Sequence, residues 1–435
     1  MKKSLLLFPL ASAMHVSAED HVLHSFAKTK LSDQFWAEGA TFIDVNKDGK
    51  KDVAAGPFWY AAPDFTQKRE IYPATTTFDR KKQDGSLQKI PGFEGALGKE
   101  NKYSDNFFAF GRDFNGDGWE DLLVIGFPGQ WTAWYENPKA EERHWTKHVV
   151  WRITDNESPT FTDITGDGKP ELVCASGGRY GYATADAGDA SAPWTWHPIS
   201  PVRGYQRFTH GLGIGDVNGD KRADLIEKDG WWEQPPSLEQ DPAWTFHAIP
   251  FNSGGAQMYA YDVNGDGLND VITSQAAHGY GLAWHEQMRE GLEIKFLPHV
   301  FMNKDPKDNR YGVRFGELHA IELADMDGDG LKDIVTGKRF WSHGSQGDTA
   351  SAVKSPLYWF QLKRNEDKTV DWLPHLIDGE SGVGTQIVVD DWNGDKLPDV
   401  VAANKLGAFV LTHQIKKVTR DEWEKAQPKA LVGAP

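Results

Sequence analysis

Short β-type runs alternate with polar, aspartate-rich loops along most of this 435-residue chain. The runs are rich in valine, isoleucine and leucine and are bounded by glycine or asparagine, which is typical of strands. Clear examples lie at residues 121–125, 270–273 and 333–336. A second, aromatic run follows most of them, as at Trp134 and Trp231. The pattern therefore predicts an all-β chain.

The polar loops form a repeat, because one motif of aspartate, asparagine and glycine recurs in register. The motif is D-x-[NTD]-x-D-x-x-x-[DE], and it occurs seven times. The copies begin at Asp44, Asp113, Asp163, Asp216, Asp262, Asp325 and Asp391. Runs of the form Trp-x-x-His, such as the one that starts at Trp145, supply a further strand between copies. Four strands per copy, repeated radially, is the arrangement of a β-propeller.

Each loop carries the oxygen ligands that Ca²⁺ prefers. Loop positions 1, 3, 5 and 9 bear carboxylate, amide or hydroxyl oxygens, and Gly at position 6 permits a sharp turn in five copies. The predicted metal ligands are Asp44, Asn46, Asp48, Asp52, Asp113, Asn115, Asp117, Asp121, Asp163, Thr165, Asp167, Glu171, Asp216, Asn218, Asp220, Asp224, Asp262, Asn264, Asp266, Asp270, Asp325, Asp327, Asp329, Asp333, Asp391, Asn393, Asp395 and Asp399. Lys221 and Lys396 replace the glycine in two copies, and we expect those sites to be weaker.

An EF-hand is the competing interpretation of these loops. It requires Glu at position 12 and a helix on either side. Only Glu227 meets the first condition, and the flanking runs are strand-like. A simple Asx-type turn is the other alternative, but seven copies in register favour metal binding. We therefore expect several structural calcium ions.

These observations predict a seven-bladed β-propeller over residues 19–435, preceded by a signal peptide at residues 1–18. The last blade lacks an outer strand, and the N-terminal segment around His21 is the candidate for it. Lys2 and Lys3, the apolar residues 5–13 and the small residues 16–18 form the signal-peptide pattern, which predicts a secreted or periplasmic protein. Cys174 is the only cysteine, so no disulfide can form within the chain.

Composition limits the partners. No apolar run is long enough for a transmembrane segment. The net charge of −16 argues against nucleic acid as a partner. Neither a Gly-x-Ser-x-Gly elbow nor a zincin motif occurs, so those hydrolase classes have no support.

The acidic motif resembles the FG-GAP or VCBS-type calcium-binding repeat of integrin α-subunit propellers and many exported bacterial proteins. The resemblance covers nearly the whole mature chain and implies the propeller fold. It does not select a function, because propellers serve as lectins, adhesion modules, lyases and hydrolases.

The positions just before each acidic loop indicate where a site would lie, since the strand that enters the loop is expected to be innermost. The catalytic candidates are His210, His278, His319 and Arg339. The substrate-binding candidates are Glu38, Tyr60, Tyr180, Trp231, Gln257, Gln386 and Lys405. The three histidines fall at comparable places in different blades, so they are expected to converge and to bind Zn²⁺ or supply a general base. For Tyr60 and Trp231, packing between blades is the alternative.

Three segments resemble the propeller domain of aldos-2-ulose dehydratase. They are residues 210–235, residues 278–287 and Gly316-Glu-Leu-His319 ahead of its acidic loop. That family removes water from keto-sugars, so the resemblance implies β-elimination with a histidine base and an enolate stabilised by a metal ion or Arg339. The family also carries cupin domains, for which this chain has no room.

Two functional interpretations remain open from sequence. One is a carbohydrate lyase or dehydratase that acts on a keto-sugar or related saccharide. The other is a non-catalytic propeller, a lectin or adhesion module, that binds sugar or protein. The candidate residues differ from blade to blade, which favours one asymmetric site and hence an enzyme.

Overall fold

Each acidic loop connects two antiparallel strands in the computed structural model, which describes residues 21–75, 77–82, 84–91, 103–139, 141–340, 342–343, 349 and 354–432. The all-β prediction is confirmed, with 46% strand and 3% helix. The predicted signal peptide lies outside the described residues. In the described part of the chain, no helix combines the length and apolar character needed to span a bilayer.

The strands group into four-stranded antiparallel units, numbered here along the chain. The first strand of the chain, β1 (His21–Ser32), belongs to the last unit. Unit 1 contains β2 (Ala40–Ile43), β3 (Asp52–Ala55), β4 (Phe58–Tyr60) and β5 (Lys68–Glu70). A separate hairpin follows, made of β6 (Thr77–Lys81) and β7 (Leu87–Pro91). Unit 2 contains β8 (Phe108–Arg112), β9 (Asp121–Ile125), β10 (Gln130–Glu136) and the first part of β11 (Thr146–Thr162).

The remaining units follow the same order. Unit 3 contains the second part of β11, β12 (Glu171–Ser176), β13 (Arg179–Thr184) and β14 (Thr195–Pro198). Unit 4 contains β15 (Leu212–Gly215), β16 (Asp224–Glu227), β17 (Gly230–Glu233) and β18 (Thr245–Ala248). Unit 5 contains β19 (Gln257–Tyr261), β20 (Asp270–Ser274), β21 (Leu282–Glu290) and β22 (Glu293–Met302), and a 3₁₀ turn (Pro306–Asp308) follows.

Unit 6 contains β23 (Ile321–Ala324), β24 (Asp333–Gly337), β25 (Leu357–Arg364) and β26 (Val370–Asp378). Unit 7 contains β27 (Ile387–Asp390), β28 (Asp399–Asn404), β29 (Gly407–Val418) and β1. The helix α1 (Arg420–Ala426) comes after it. The predicted pairing of the N-terminal strand with the last unit is observed, in a register that runs from His21 opposite Val418 to Ser32 opposite Ala408.

The units follow one another around a closed circuit. The strand that comes first in each unit contacts the corresponding strand of a neighbouring unit, as β2 contacts β8. The circuit closes because β2 of unit 1 also contacts β27 and β28 of unit 7. The buried apolar side chains form clusters that each combine two successive units, for example Cys174 of unit 3 with Leu123 of unit 2. Another cluster joins unit 1 to unit 7 through Val53 and Val401. Apolar burial between neighbours therefore holds the circuit together.

Two neighbouring units approach closely at β15 and β19, which pair in parallel. A Cβ atom on Gly213 would lie 2.0 Å from the carbonyl oxygen of Met258. Only glycine allows the two first strands to approach so closely.

Amide and guanidinium side chains tie several units to the acidic loop of an earlier neighbour. Gln287 of unit 5 donates to the carbonyl oxygens of Val217 and Asn269, at 2.8 and 2.5 Å. Asn137, Gln234 and Arg364 make the corresponding contacts in units 2, 4 and 6. We call these four side chains the inter-unit clasps. Each satisfies a buried backbone group that would otherwise have no partner.

Candidate functional site

Three histidines from different units meet on the face opposite the acidic loops, which we call the histidine face. His210 and His319 come two residues before β15 and β23, and His278 lies between β20 and β21. One ring nitrogen of each lies within 4.8 Å of those of the other two. The first strands run from this face toward the acidic loops, so residues just before them lie at its centre.

The ring nitrogens that point at one another have no hydrogen-bond partner. They are His210 Nε2, His278 Nδ1 and His319 Nδ1, and all three are buried. The other nitrogen of His210 bonds the carbonyl oxygen of Phe208 at 2.8 Å. Since a carbonyl only accepts, Nδ1 of His210 carries a proton and donates this bond, which leaves Nε2 toward the cluster. Nε2 of His319 lies 3.2 Å from Ser342 Oγ, which leaves its Nδ1 toward the cluster.

Two carboxylates lie beside the histidines. Glu317 Oε2 is 3.5 Å from His278 Nδ1 and 3.9 Å from His319 Nδ1, and it accepts from Ser342 Oγ at 3.2 Å. Glu317 Oε1 is buried without a partner. Glu157 Oε2 lies 3.3 Å from His210 Nε2, without the geometry of a hydrogen bond.

Burial and mutual charge set the protonation of these groups. Burial is the main reason that the pKa of His319 falls well below its usual value, and the charges of Arg339 and the other two histidines lower it further. Burial alone would raise the pKa of Glu157, but its interactions with His210, Arg339 and His278 outweigh this and lower it to about 2. His319 is therefore neutral and able to act as a ligand, and Glu157 is ionised.

A buried ion-pair network lies behind the histidines. Arg339 donates to both carboxylate oxygens of Glu38, at 3.0 and 2.7 Å, and Lys405 Nζ lies 3.0 Å from the same carboxylate. The Arg339 side chain is 1% exposed and also lies 3.8 Å from Glu157. Arg339 was predicted as a catalytic residue, and Glu38 and Lys405 as substrate-binding residues. The structure places the carboxylate of Glu38 between the other two side chains.

The other predicted substrate-binding residues are distributed through the interior. Tyr60, Tyr180 and Trp231 are buried among apolar side chains, and Trp231 stacks on His247 at 4.1 Å. Gln386 bonds the backbone of Ala109 on β8, and Gln257 bonds the backbone of Thr385 and Ile321. The structure therefore does not bring these five side chains to the histidine cluster.

Sequence reasoning missed Glu317 and Ser342 as members of this group and did not select Glu157. Glu317 is two residues from His319, and its φ of 59° is a left-handed conformation that a non-glycine residue rarely adopts. Such local strain at a site indicates that packing around it fixes the side chain. Ser342 lies three residues after Arg339, in a loop with no repeat pattern.

The cluster has the chemistry of a transition-metal site. Zn²⁺ accepts imidazole nitrogen and keeps an open coordination position in catalytic sites. Three imidazole nitrogens at one place, with an adjacent carboxylate, match that donor set. The side chain of His278 is 35% exposed, so the cluster is reached from solvent on its side.

The acidic loops lie at the other end of the first strands. Position 9 of each loop is a buried carboxylate, and Asp270, for example, accepts from the backbone of Val263 and Gln287 at 2.8 and 2.7 Å. Among the described residues, the carboxylates of two loops converge closely enough to share an ion: Asp163, Asp167 and Glu171; and Asp325, Asp327 and Asp333. Lys221 and Lys396 adopt left-handed φ values of 71° and 70°, where five other loops have glycine.

Comparisons with known proteins identify the repeat. Residues 113–174 match the family model of the FG-GAP-like repeat. They span the acidic loop of unit 2, continue through that of unit 3 and end within β12. No curated protein matches the chain. The resemblance to aldos-2-ulose dehydratase stays a prediction.

Several solved structures align with much of the chain at low identity. One is a lectin of Agrocybe aegerita that recognises non-reducing terminal N-acetylglucosamine, at 13% identity and a TM-score of 0.42, over 80% of this chain and 94% of that one. Another is BBS1N in complex with ARL6DN, at 11% identity and a TM-score of 0.46, over 91% of this chain and 97% of that one. A third is the Tc holotoxin pore of Photorhabdus luminescens, at 14% identity and a TM-score of 0.36, over 87% of this chain and 19% of that one.

Proposed function

We propose that this chain is an exported, calcium-binding, seven-bladed β-propeller with a zinc-dependent carbohydrate lyase site on its histidine face. Units 1 to 7 are the proposed blades, and each acidic loop is a candidate calcium site. The FG-GAP-like match and the closed circuit of four-stranded units support the propeller. The proposed substrate is a keto-sugar or related saccharide, the class that the sequence resemblance implies.

One observation carries the proposal of a metal centre. His210, His278 and His319 present three buried ring nitrogens to one another without any hydrogen-bond partner. A buried polar atom without a partner costs about 1–3 kcal/mol, so three at one point call for a ligand. A divalent cation satisfies all three at once.

The surrounding residues fit an elimination reaction. A bound zinc ion would polarise the carbonyl of the sugar and so acidify the neighbouring C–H bond. Glu317 is the proposed proton acceptor, because its Oε1 has no partner and Ser342 holds its other oxygen. The C–H bond breaks, a C=C bond forms, and the C–O bond at the next carbon breaks. The departing hydroxyl takes the proton from Glu317 and leaves as water.

Arg339 has a positioning role in this proposal. Its guanidinium group is committed to Glu38 and Ser342 and lies 3.8 Å from Glu157. It thereby orients the serine that contacts Glu317 and the carboxylate beside His210. Glu38 and Lys405 complete the same network and keep Arg339 in place.

Metal content is the first test. Inductively coupled plasma mass spectrometry of the purified chain is expected to find several calcium ions and about one zinc ion. His278→Ala and His210→Ala should lose the zinc and keep the calcium and the circular dichroism spectrum. His144→Ala is the matched control, because His144 lies on the surface near Glu70. Wild-type protein that takes up no zinc after dialysis against it would contradict the centre.

Turnover is the second test. Keto-sugars and uronate-containing saccharides would be incubated with the zinc-loaded protein, and the unsaturated carbonyl product followed by absorbance. Glu317→Gln is expected to keep zinc and to lose at least a hundredfold in turnover. Loss of zinc in Glu317→Gln would make Glu317 a ligand instead. Saccharide binding without turnover in wild-type protein would favour the non-catalytic alternative.

A further inference from the structure

A cavity lies among the first strands of the units, next to the acidic loops. It is at the opposite end of these strands from the histidine face. Its volume is about 430 Å³, within the range of small-molecule sites. Strands of six units line it, and only unit 4 contributes no lining residue. Arg112 and Asp390 are among its lining residues, and each is one residue before an acidic loop. We call it the acidic-face chamber.

Two glutamines line the chamber and hydrogen-bond to the backbone of other units. Gln386 accepts from the backbone of Ala109 at 2.8 Å and donates to it at 2.9 Å. Gln257 donates to the carbonyl oxygen of Thr385 at 3.0 Å and accepts from the backbone of Ile321 at 2.9 Å. These bonds connect units across the centre. The chamber is therefore a separate site from the histidine cluster.

Aromatic side chains form part of the walls, and one arginine lines the space beside them. Phe42, Phe110, Phe161 and Tyr259 line the chamber. Arg112 lines it as well, and its side chain makes no hydrogen bond or ion pair with any residue in the described ranges. An arginine side chain that has no partner and lies beside aromatic side chains favours a planar anion, because its donors match a carboxylate in pairs.

We propose that the acidic-face chamber binds a small organic monoanion, with its carboxylate on Arg112 and an aromatic or similar apolar body against the phenylalanines. The apolar body gains from burial against the aromatic walls. The inference does not depend on the zinc site or on lyase activity.

Glu322 is one of two acidic residues in the chamber lining, and it bears on the sign of the ligand charge. The charge of Lys332 favours its ionised form, but burial has the larger effect. Its carboxylate lies 3.3 Å from the hydroxyl of Tyr259. Burial raises the pKa of Glu322 to about 7, so much of it is neutral near neutrality. A neutral carboxyl group gives little attraction to a cation and little repulsion to an anion. Asp390, the other acid of the lining, pairs with Lys51.

Isothermal titration with 3-phenylpropanoate tests this on the full-length protein. We expect one site per chain with a dissociation constant below 1 mM, in the ordinary range for a fragment of this size. Phenylpropanol, the neutral analogue, and acetate, which lacks the apolar body, should each bind at least tenfold more weakly. Equal binding by phenylpropanol would overturn the role of Arg112, and equal binding by acetate would overturn the role of the walls.

Variants separate the contributions of the cation, the open space and Glu322 to the binding of phenylpropanoate. Arg112→Gln should weaken phenylpropanoate at least tenfold, and Arg152→Gln, an exposed arginine on β11, should leave it unchanged. Thr160→Phe should fill the chamber and abolish binding without touching Arg112. Glu322→Gln should leave binding equal or tighter, whereas a weaker complex would indicate a ligand with a cationic group. Failure of wild-type protein to bind phenylpropanoate, or unaltered binding by Arg112→Gln, would contradict the proposal.

Discussion

Glu38 balances two buried cations at the centre of the histidine face. Burial alone would raise its pKa, but the charges of Arg339 and Lys405 outweigh burial and hold the pKa below its usual value. All three side chains are at most 1% exposed. A buried group of charges is stable only while each keeps its partners.

Glu38→Gln is therefore expected to destabilise the protein strongly. The substitution keeps the size of the side chain and leaves Arg339 and Lys405 without their carboxylate. Removal of one partner from a buried ion pair costs about 3–5 kcal/mol. Urea unfolding measures the loss, and Glu142→Gln, at an exposed carboxylate, should show no measurable change. Equal stability of Glu38→Gln and wild type would contradict this account.

His285 makes folding stability depend on pH. It is buried, and burial with the charge of His299 lowers its pKa to about 4, against 6.5 in the unfolded chain. The unfolded state therefore binds the proton first, and the stability from neutral His285 is lost as pH falls from about 6.5 toward 4.

Between pH 7.5 and pH 5 this loss is about 2 kcal/mol for His285 alone. In His285→Gln, which cannot titrate, the decrease in unfolding free energy between those pH values should be smaller by about that amount. Urea unfolding at the two pH values gives the comparison, with His144→Gln as the exposed control. Identical pH dependence in His285→Gln and wild type would show that this residue does not contribute.

At the scale of elements, the acidic loop is the unit that repeats most faithfully. Its first aspartate accepts from backbone N–H groups within the loop, as Asp325 does from Gly328 and Gly330. Its ninth residue ties the loop to the third strand, as Asp333 does at Leu362. The clustered carboxylates repel one another unless a cation lies among them.

Calcium is therefore expected to stabilise the protein loop by loop. At free calcium about 100 times the dissociation constant, one loop contributes about 2.7 kcal/mol. Asp329→Ala should reduce the gain in melting temperature on adding calcium, while Asp308→Ala, in the exposed 3₁₀ turn, should not. An unchanged calcium response in Asp329→Ala would remove the loop of unit 6 from the calcium sites.

Sequence predicted the strands on either side of each loop because the loop residues and the β-type runs are both local signals. It did not predict that β11 runs through seventeen residues and serves both unit 2 and unit 3. No turn signal fixes such a boundary, and the bend at Asn156, with a φ of 65°, is set by packing. The inter-unit clasps were not predicted either, because each joins residues far apart in sequence.

The difference between local signals and contacts of distant residues also explains which site residues could be predicted from sequence. His210 and His319 stand at equal distances before their acidic loops, so the repeat itself indicated that they would meet. Glu317 and Ser342 have no counterpart in the repeat, and their contact depends on how two irregular segments pack. Tyr60 and Trp231 occupy repeat positions too, but their buried surroundings cannot be read from spacing.

At the scale of the whole molecule, the circuit closes by pairing its two ends. The twelve-residue strand β1 lies along β29 over most of its length and covers what would be an exposed sheet edge. His24 of β1 lies 2.9 Å from His413 of β29, which adds a side-chain contact to the pairing.

A chain that begins at residue 33 is therefore expected to associate through β29 and to unfold at a lower temperature than one that begins at residue 21. Size-exclusion chromatography and thermal unfolding compare the two. A peptide of residues 21–32 added in trans should restore the monomer, because it supplies the missing strand. A stable monomer of the shortened chain without the peptide would show that closure does not need β1.

The separation of β1 and β29 along the chain also determines when they can pair during synthesis. His24 and His413 are 389 residues apart in sequence. During synthesis β1 is made before any other strand of the circuit and waits, unpaired, until β29 follows at the end. An interrupted chain keeps a free strand at one end and an open sheet edge at the other, both of which chaperones and proteases recognise. The circuit therefore cannot close until nearly all of its strands have been made.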